Sequence, residues 1–163
     1  MAANPIPNQT GFPKTYGMVM AVIVVFAIAA LLLTRPTTAI AHLSPLSGLM
    51  TLKASVQTAM PYGEAMANPQ PTLIEFYADW CTTCQALAPT LDTIHQQFGP
   101  ALNFVMIDID APQWREQIQQ FQVQGVPHLA LVNPDQTVAD TFIGKVPQSV
   151  LANRITDLMI SGA

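Results

Sequence analysis

The chain has 163 residues, with 10 acidic side chains against 6 basic ones and a net charge of −4. That length holds one ordinary domain of about 100–150 residues plus an extension, and the lack of a basic excess argues against nucleic acid as a partner. Only 10% of the residues are charged while 50% are hydrophobic, against roughly 25% charged in an average soluble protein, so part of the chain is expected to lie out of water.

The apolar surplus sits in one place. Gly17 to Leu33 reads GMVMAVIVVFAIAALLL without a charged side chain. At about 1.5 Å per residue this run makes a helix of about 26 Å, slightly short of the roughly 30 Å hydrocarbon layer. Tyr16, Lys14 and Arg35 can cover the deficit by reaching the interfaces. The expectation is a transmembrane anchor over 17–34, preceded by an N-terminal segment over 1–16. A cleaved secretory signal competes with it, because Ala39-Ile40-Ala41 has the small-x-small form of a cleavage site. The length of the run, the single basic residue before it and Arg35 directly after it favour the anchor. A weak charge bias puts everything after Arg35 on the extracytoplasmic side in both readings.

A Pro-, Thr- and Ser-bearing stretch over 35–46 reads as a tether. Leu49, Leu52, Val56 and Ala59 then recur at helical spacing, so a helix is expected from Ser47 to Ala59, with another over Tyr62–Ala67. After Pro71, short apolar strands alternate with helical patterns, the mark of an α/β domain. Strands are expected over Leu73–Ala78, Asn103–Ile109, Leu129–Val132 and Thr137–Phe142, the last two joined through the turn-rich Asn133-Pro134-Asp135-Gln136. Helices are expected over Thr82–Phe98, kinked at Pro89, over Gln113–Phe121, and over Gln148–Met159 with Val150, Leu151, Ile155 and Leu158 inward. The domain is expected to span 47–163.

Cys81 and Cys84 are the only cysteines. A strand-to-helix junction puts Cys81 at a helix N-terminus, where free N–H groups and the dipole favour a thiolate. Cys81 is therefore the candidate nucleophile on a substrate disulfide, and Cys84, one turn further in, the residue that resolves the mixed disulfide. A structural bridge across two residues would close too small a loop to stabilise much. A zinc site would need four ligands, and His42, His95 and His128 lack the paired spacing of zinc motifs, so no metal is expected.

The segment Phe76-Tyr77-Ala78-Asp79-Trp80-Cys81-Thr82-Thr83-Cys84, with Pro89 eight residues past Cys81, resembles the thioredoxin active-site segment, and Gly125-Val126-Pro127 resembles its substrate-binding turn. From about Ser47 onward, EFYADWC, NFVMIDID and GVPH together are most similar to the membrane-anchored thioredoxin-like proteins of cyanobacteria and chloroplasts. The resemblance implies a thioredoxin fold, a central mixed sheet flanked by helices, here preceded by one transmembrane helix. It implies a thiol:disulfide oxidoreductase facing the thylakoid lumen or periplasm that reduces protein disulfides, including apocytochrome thiols during cytochrome maturation. Electrons would come from a membrane thiol carrier, with the Cys81–Cys84 disulfide as the redox group and no separate cofactor.

The same resemblance suggests that Val126-Pro127 is cis and presents the Val126 backbone to substrate; an ordinary trans turn is the alternative. It gives Glu75 the place of a buried acid that exchanges a proton with Cys84, with burial raising its pKa; a Glu75 reaching solvent at the strand edge is the alternative. Met106 stands where the family usually has a lysine, so no cation is expected to offset Glu75, and Thr82-Thr83 replaces the usual Gly-Pro. His128 either lies against Cys81 and stabilises its thiolate or packs beside the turn. Trp80 is expected at the rim of the reactive sulfur, with core packing as the alternative. Asp79, Asp108 and Asp110 are read as polar strand ends without chemistry. A disulfide-forming oxidase, or a non-catalytic binding or metal-handling module, could use the same residues.

Overall fold

The computed structural model describes residues 14–33, 45–99 and 101–161. It divides into two compact units, Met1–Thr38 and Ala39–Ala163. The first contains α1 (Lys14–Leu33), 20 residues long. Its side chains are described over 19–28, and every one is exposed. Among the described residues no helix is long and apolar enough to cross a membrane. Most of the expected tether over 35–46, the possible cleavage site and residues 1–13 lie outside the described residues.

The second unit runs α2 (Pro45–Thr58), α3 (Tyr62–Ala67), β1 (Thr72–Tyr77), α4 (Thr82–Phe98), β2 (Asn103–Asp108), a 3₁₀ turn (Pro112–Trp114), α5 (Arg115–Gln120), β3 (His128–Val132), β4 (Val138–Ile143) and α6 (Gln148–Ser161). The sheet order is β2-β1-β3-β4. β1 pairs parallel with β2, and β3 pairs antiparallel with both β1 and β4. The parallel pair requires a crossover, which α4 supplies.

Every residue of β1 is buried, because the sheet is covered on both faces. Alternation along the strands separates two cores. Leu73, Tyr77, Leu129 and Leu131 join Leu87, Leu91 and Ile94 of α4, Leu52 of α2 and Leu151 and Ile155 of α6 on one face. Ile74, Phe76, Val105, Ile107, Ala130 and Val132 join Ala65 of α3 and Phe121 on the other.

α4 continues through Pro89 as one helix. Having no N–H, Pro89 leaves the Gln85 carbonyl without its usual helical donor, and α2 crosses at that spot. A Cβ on Gly48 would lie 2.5 Å from the Gln85 carbonyl oxygen, so the crossing is as close as it is because residue 48 has no side chain.

Two expectations need correcting. The helix read over Gln113–Phe121 begins instead as a 3₁₀ turn with Pro112 in its first turn and becomes α-helical only at Arg115. Val150 is 43% exposed rather than inward. Leu151, Ile155 and Leu158 already define the buried stripe of α6, and Val150, one position from Leu151, is rotated about 100° away from it.

Candidate redox site

The strand-to-helix junction after β1 positions the sulfurs. Cys81 N–H bonds the Ala78 carbonyl at 3.1 Å, and the Cys81 carbonyl accepts from Gln85 N–H at 3.1 Å, so Cys81 caps α4. Its Sγ accepts from the Cys84 backbone N–H at 3.0 Å. The two sulfurs form a disulfide with Cα atoms 5.3 Å apart. Cys81 is 5% exposed and Cys84 fully buried, leaving Cys81 as the accessible sulfur. A negative charge on Sγ of Cys81 would face N–H donors at the positive end of a helix, the setting that lowers a thiol pKa.

Around this junction the side chains are tied to their neighbours. Trp80 is 65% exposed, as a rim residue would be, and its Nε1–H donates to Asp110 Oδ2 at 2.8 Å. Asp110 is held in turn by its own N–H on Asp108 Oδ1 at 3.0 Å. Asp79 pairs with Lys53 of α2, and its carbonyl accepts from Gln85 Nε2 at 2.8 Å. Asp79 and Asp110, assigned no chemistry from sequence, thus brace the loop that carries Trp80. No periodicity or motif signals these contacts, because their partners lie 26 and 30 residues away.

The Val126–Pro127 peptide is cis. Val126 packs against the apolar cluster that contains both cysteines, and the Pro127 carbonyl accepts from Gly144 N–H at 2.8 Å. Gly144 has φ +83°, a conformation that side chains resist.

Glu75 is 1% exposed. Its register partners are Met106 on β2 and Leu129 on β3, so no cation offsets it across either pairing. It lies between Leu73 and Tyr77, both in the cysteine-bearing core, and strand alternation points it to that face. Oε1 has no hydrogen-bond partner among the described residues. Loss of water pushes its pKa up to about 8.

His128 departs from one of its two readings. It is 2% exposed, and its ring meets Phe76 edge-on at 5.5 Å. Phe76 belongs to the core on the face opposite the cysteines. Neither ring nitrogen has a partner among the described residues, and burial lowers the pKa, so the ring is neutral near pH 7. The ring packs beside Phe76 on the face away from the cysteines, as the packing reading has it, and a neutral imidazole there offers Cys81 no positive charge.

A buried, helix-capping Cys-X-X-Cys disulfide after a central strand, in a chain whose Val126–Pro127 peptide is cis and whose Val126 packs against the cluster holding both cysteines, defines a thiol:disulfide oxidoreductase of thioredoxin fold. The chain belongs to the thioredoxin family: residues 53–157 match the family model described as Thioredoxin. It is 37% identical over 109 residues to "Thioredoxin-like protein HCF164, chloroplastic" of Arabidopsis thaliana, covering 67% of this chain and 42% of that protein. It is 39% identical over 110 residues to "Thiol:disulfide interchange protein TxlA homolog" of Synechocystis, covering 68% and 61%. With "Thiol:disulfide interchange protein TxlA" of Synechococcus elongatus it shares 35% identity over 142 residues, 87% of this chain and 70% of the relative. The match thus spans less than two thirds of the first two relatives.

Proposed function

We propose that this protein is a membrane-anchored reductant of protein disulfides. Cys81 acts as nucleophile, Cys84 resolves, Glu75 exchanges the proton of Cys84, and Trp80, Val126 and Pro127 form the surface that receives substrate. The observation that carries the reading is the Cys81 sulfur, capped by the Cys84 N–H at 3.0 Å and left as the more exposed of the pair.

In the forward direction the Cys81 thiolate attacks a substrate disulfide. A Cys81–substrate bond forms, the substrate S–S bond breaks and the first substrate thiolate leaves. Cys84, giving its proton to the Glu75 carboxylate, then attacks Cys81 Sγ. The second substrate thiolate departs, and the pair is left oxidised with two electrons passed to substrate. Each mixed disulfide is short-lived because the second attack is intramolecular.

The reading places the domain on the lumenal or periplasmic side, fed by a membrane thiol carrier, with apocytochrome disulfides, reduced to thiols, among its substrates. The names of the relatives, thiol:disulfide interchange and chloroplastic, support that setting. The anchor rests on the sequence: the uncharged run from Gly17 to Leu33 would extend about 26 Å as a helix, close to one hydrocarbon thickness once its flanks reach the interfaces.

Cys84→Ser tests the reading. In cells that variant should accumulate mixed disulfides through Cys81, released by reductant, with the captured proteins exposed to the lumen or periplasm. Absence of covalent adducts, with Cys81 intact and accessible, would leave a binding module in its place.

A further inference from the structure

We propose that Lys145 is a specificity-determining residue of the redox site, its ammonium selecting disulfides that carry negative charge beside the reacting sulfurs. This rests on the reading of Cys81–Cys84 as a reductant.

Both neighbours of Lys145 are fixed to the site. On one side Gly144 donates its N–H to the carbonyl of the cis residue Pro127 at 2.8 Å. On the other, Val146 is buried in the same cluster as Cys81 and Cys84. Lys145, between them, is exposed. Its charge is therefore held on a flexible four-carbon stem at the border of the cis-proline turn.

That charge is not engaged elsewhere. The ion pairs among the described residues join Lys53 to Asp79 and Arg154 to Asp140 and Asp157; Lys145 takes part in none. The other border of the site has the opposite sign. Tyr77 at the end of β1 is in register with Asp108 at the end of β2, and Asp110 follows to hold Trp80. In the order β2-β1-β3-β4, Asp108 ends and Asp110 follows the strand on one side of β1, and Lys145 follows β4 beyond the other. His128 at the start of β3 pairs with Phe76 of β1 and with Ile143, the last residue of β4, which brings both borders to the redox end. A substrate strand lying across Cys81 meets negative charge on the Trp80 side and positive charge on the Pro127 side.

A test uses the full-length chain in non-ionic detergent micelles, pre-reduced and freed of reductant, in single-turnover reactions at low salt. Three disulfides are compared: anionic 5,5′-dithiobis(2-nitrobenzoate), cationic cystamine and neutral 2-hydroxyethyl disulfide. Oxidation of the pair is followed by acid quench and alkylation. Unit charges about 7 Å apart in water interact by about RT, or about threefold in rate per charge. Relative to wild type, Lys145→Gln should lower the anionic-to-cationic rate ratio about sevenfold and Lys145→Glu about fiftyfold. Lys145→Arg should keep the ratio. So should Arg115→Gln, which removes an exposed charge of the same sign on α5. At about 1 M salt, where the Debye length is about 3 Å, the differences should shrink. A ratio that moves less than twofold in Lys145→Glu, or moves as much in Arg115→Gln, overturns the proposal. A wild-type protein that reacts with none of the three disulfides overturns the reductant reading itself.

Discussion

Replacing Glu75 with glutamine keeps the side chain's size and removes its proton chemistry, so it measures what an uncompensated buried carboxyl costs the fold. The Glu75 carboxyl, ordinarily near 4.5, is raised to about 8 by burial. Between those values the unfolded chain has released the proton and the folded chain still holds it. Stability must therefore fall as pH rises above 4.5 and level off only past about 8. At about 1.4 kcal/mol per pH unit, the loss over the whole interval is about 5 kcal/mol as an upper bound, since water drawn toward the carboxylate reduces it. Urea unfolding of the oxidised full-length chain and of Glu75→Gln, in the same detergent at pH 5, 6, 7 and 8, gives the difference directly. His128 is present in both proteins, so its titration cancels. The glutamine variant should gain on wild type steadily, by up to about 3.5 kcal/mol between pH 5 and pH 8. Curves that stay parallel within about 1 kcal/mol would mean that Glu75 ionises as freely in the fold as outside it, and the argument from burial opposite Met106 would fail.

His128 should act on the acid side. Burial holds its pKa below the usual 6.5, so the stability of its neutral form is fully present above 6.5 and lost as pH falls from there toward the folded value. His128→Leu should flatten that part of the urea-stability curve while leaving Cys81 reactivity near neutrality in place, and an unchanged slope below pH 6.5 would count against it. Gly48→Ala should destabilise the domain by about 1–3 kcal/mol, because the new Cβ would stand 2.5 Å from the Gln85 carbonyl oxygen. Chemical denaturation reads that loss, and an alanine variant as stable as wild type would show that α2 moves away from α4 at little cost.

Where a single residue or its near neighbours determine a feature, the sequence was a sufficient guide. Thr82 to Phe98 carries its apolar residues at helical spacing and is α4 residue for residue. Cys81 at the end of an apolar strand marks the helix cap, and a carboxylate among Leu73, Ile74, Phe76 and Tyr77 is buried because those neighbours are. The cis bond at Val126–Pro127 could be anticipated only through the family resemblance, since proline alone favours trans. What the sequence hid depends on distant partners. The bracing of Trp80 by Asp110 joins residues 30 apart, and the inward face of His128 follows from its register with the buried Phe76. The start of α5 is not legible in the sequence because Pro112 begins a tighter turn before the α-helix, a choice that periodicity does not distinguish.

The buried polar groups at the two ends of the sheet differ in a way that separates structure from chemistry. At the end where β1 and β2 begin, Asn103 donates to Thr72 Oγ1 at 3.1 Å and to Asn68 Oδ1 at 2.8 Å, and accepts from Asn68 Nδ2 at 3.0 Å. That cluster is satisfied from within, as a polar group serving only the fold must be. At the redox end Glu75 Oε1 and both nitrogens of His128 are buried without partners among the described residues. An unsatisfied group of this kind costs about 1–3 kcal/mol, and leucine in its place would avoid much of that cost. The two groups lie on opposite faces of neighbouring register pairs, Glu75 with Leu129 and Phe76 with His128. For Glu75 the cost has a counterpart in the proposed mechanism: a carboxyl with its pKa near 8 can hold or release a proton near neutrality, which a carboxylate satisfied by hydrogen bonds would not do. His128 has no such role, so it is the position where substitution should relieve the fold without slowing the sulfur chemistry.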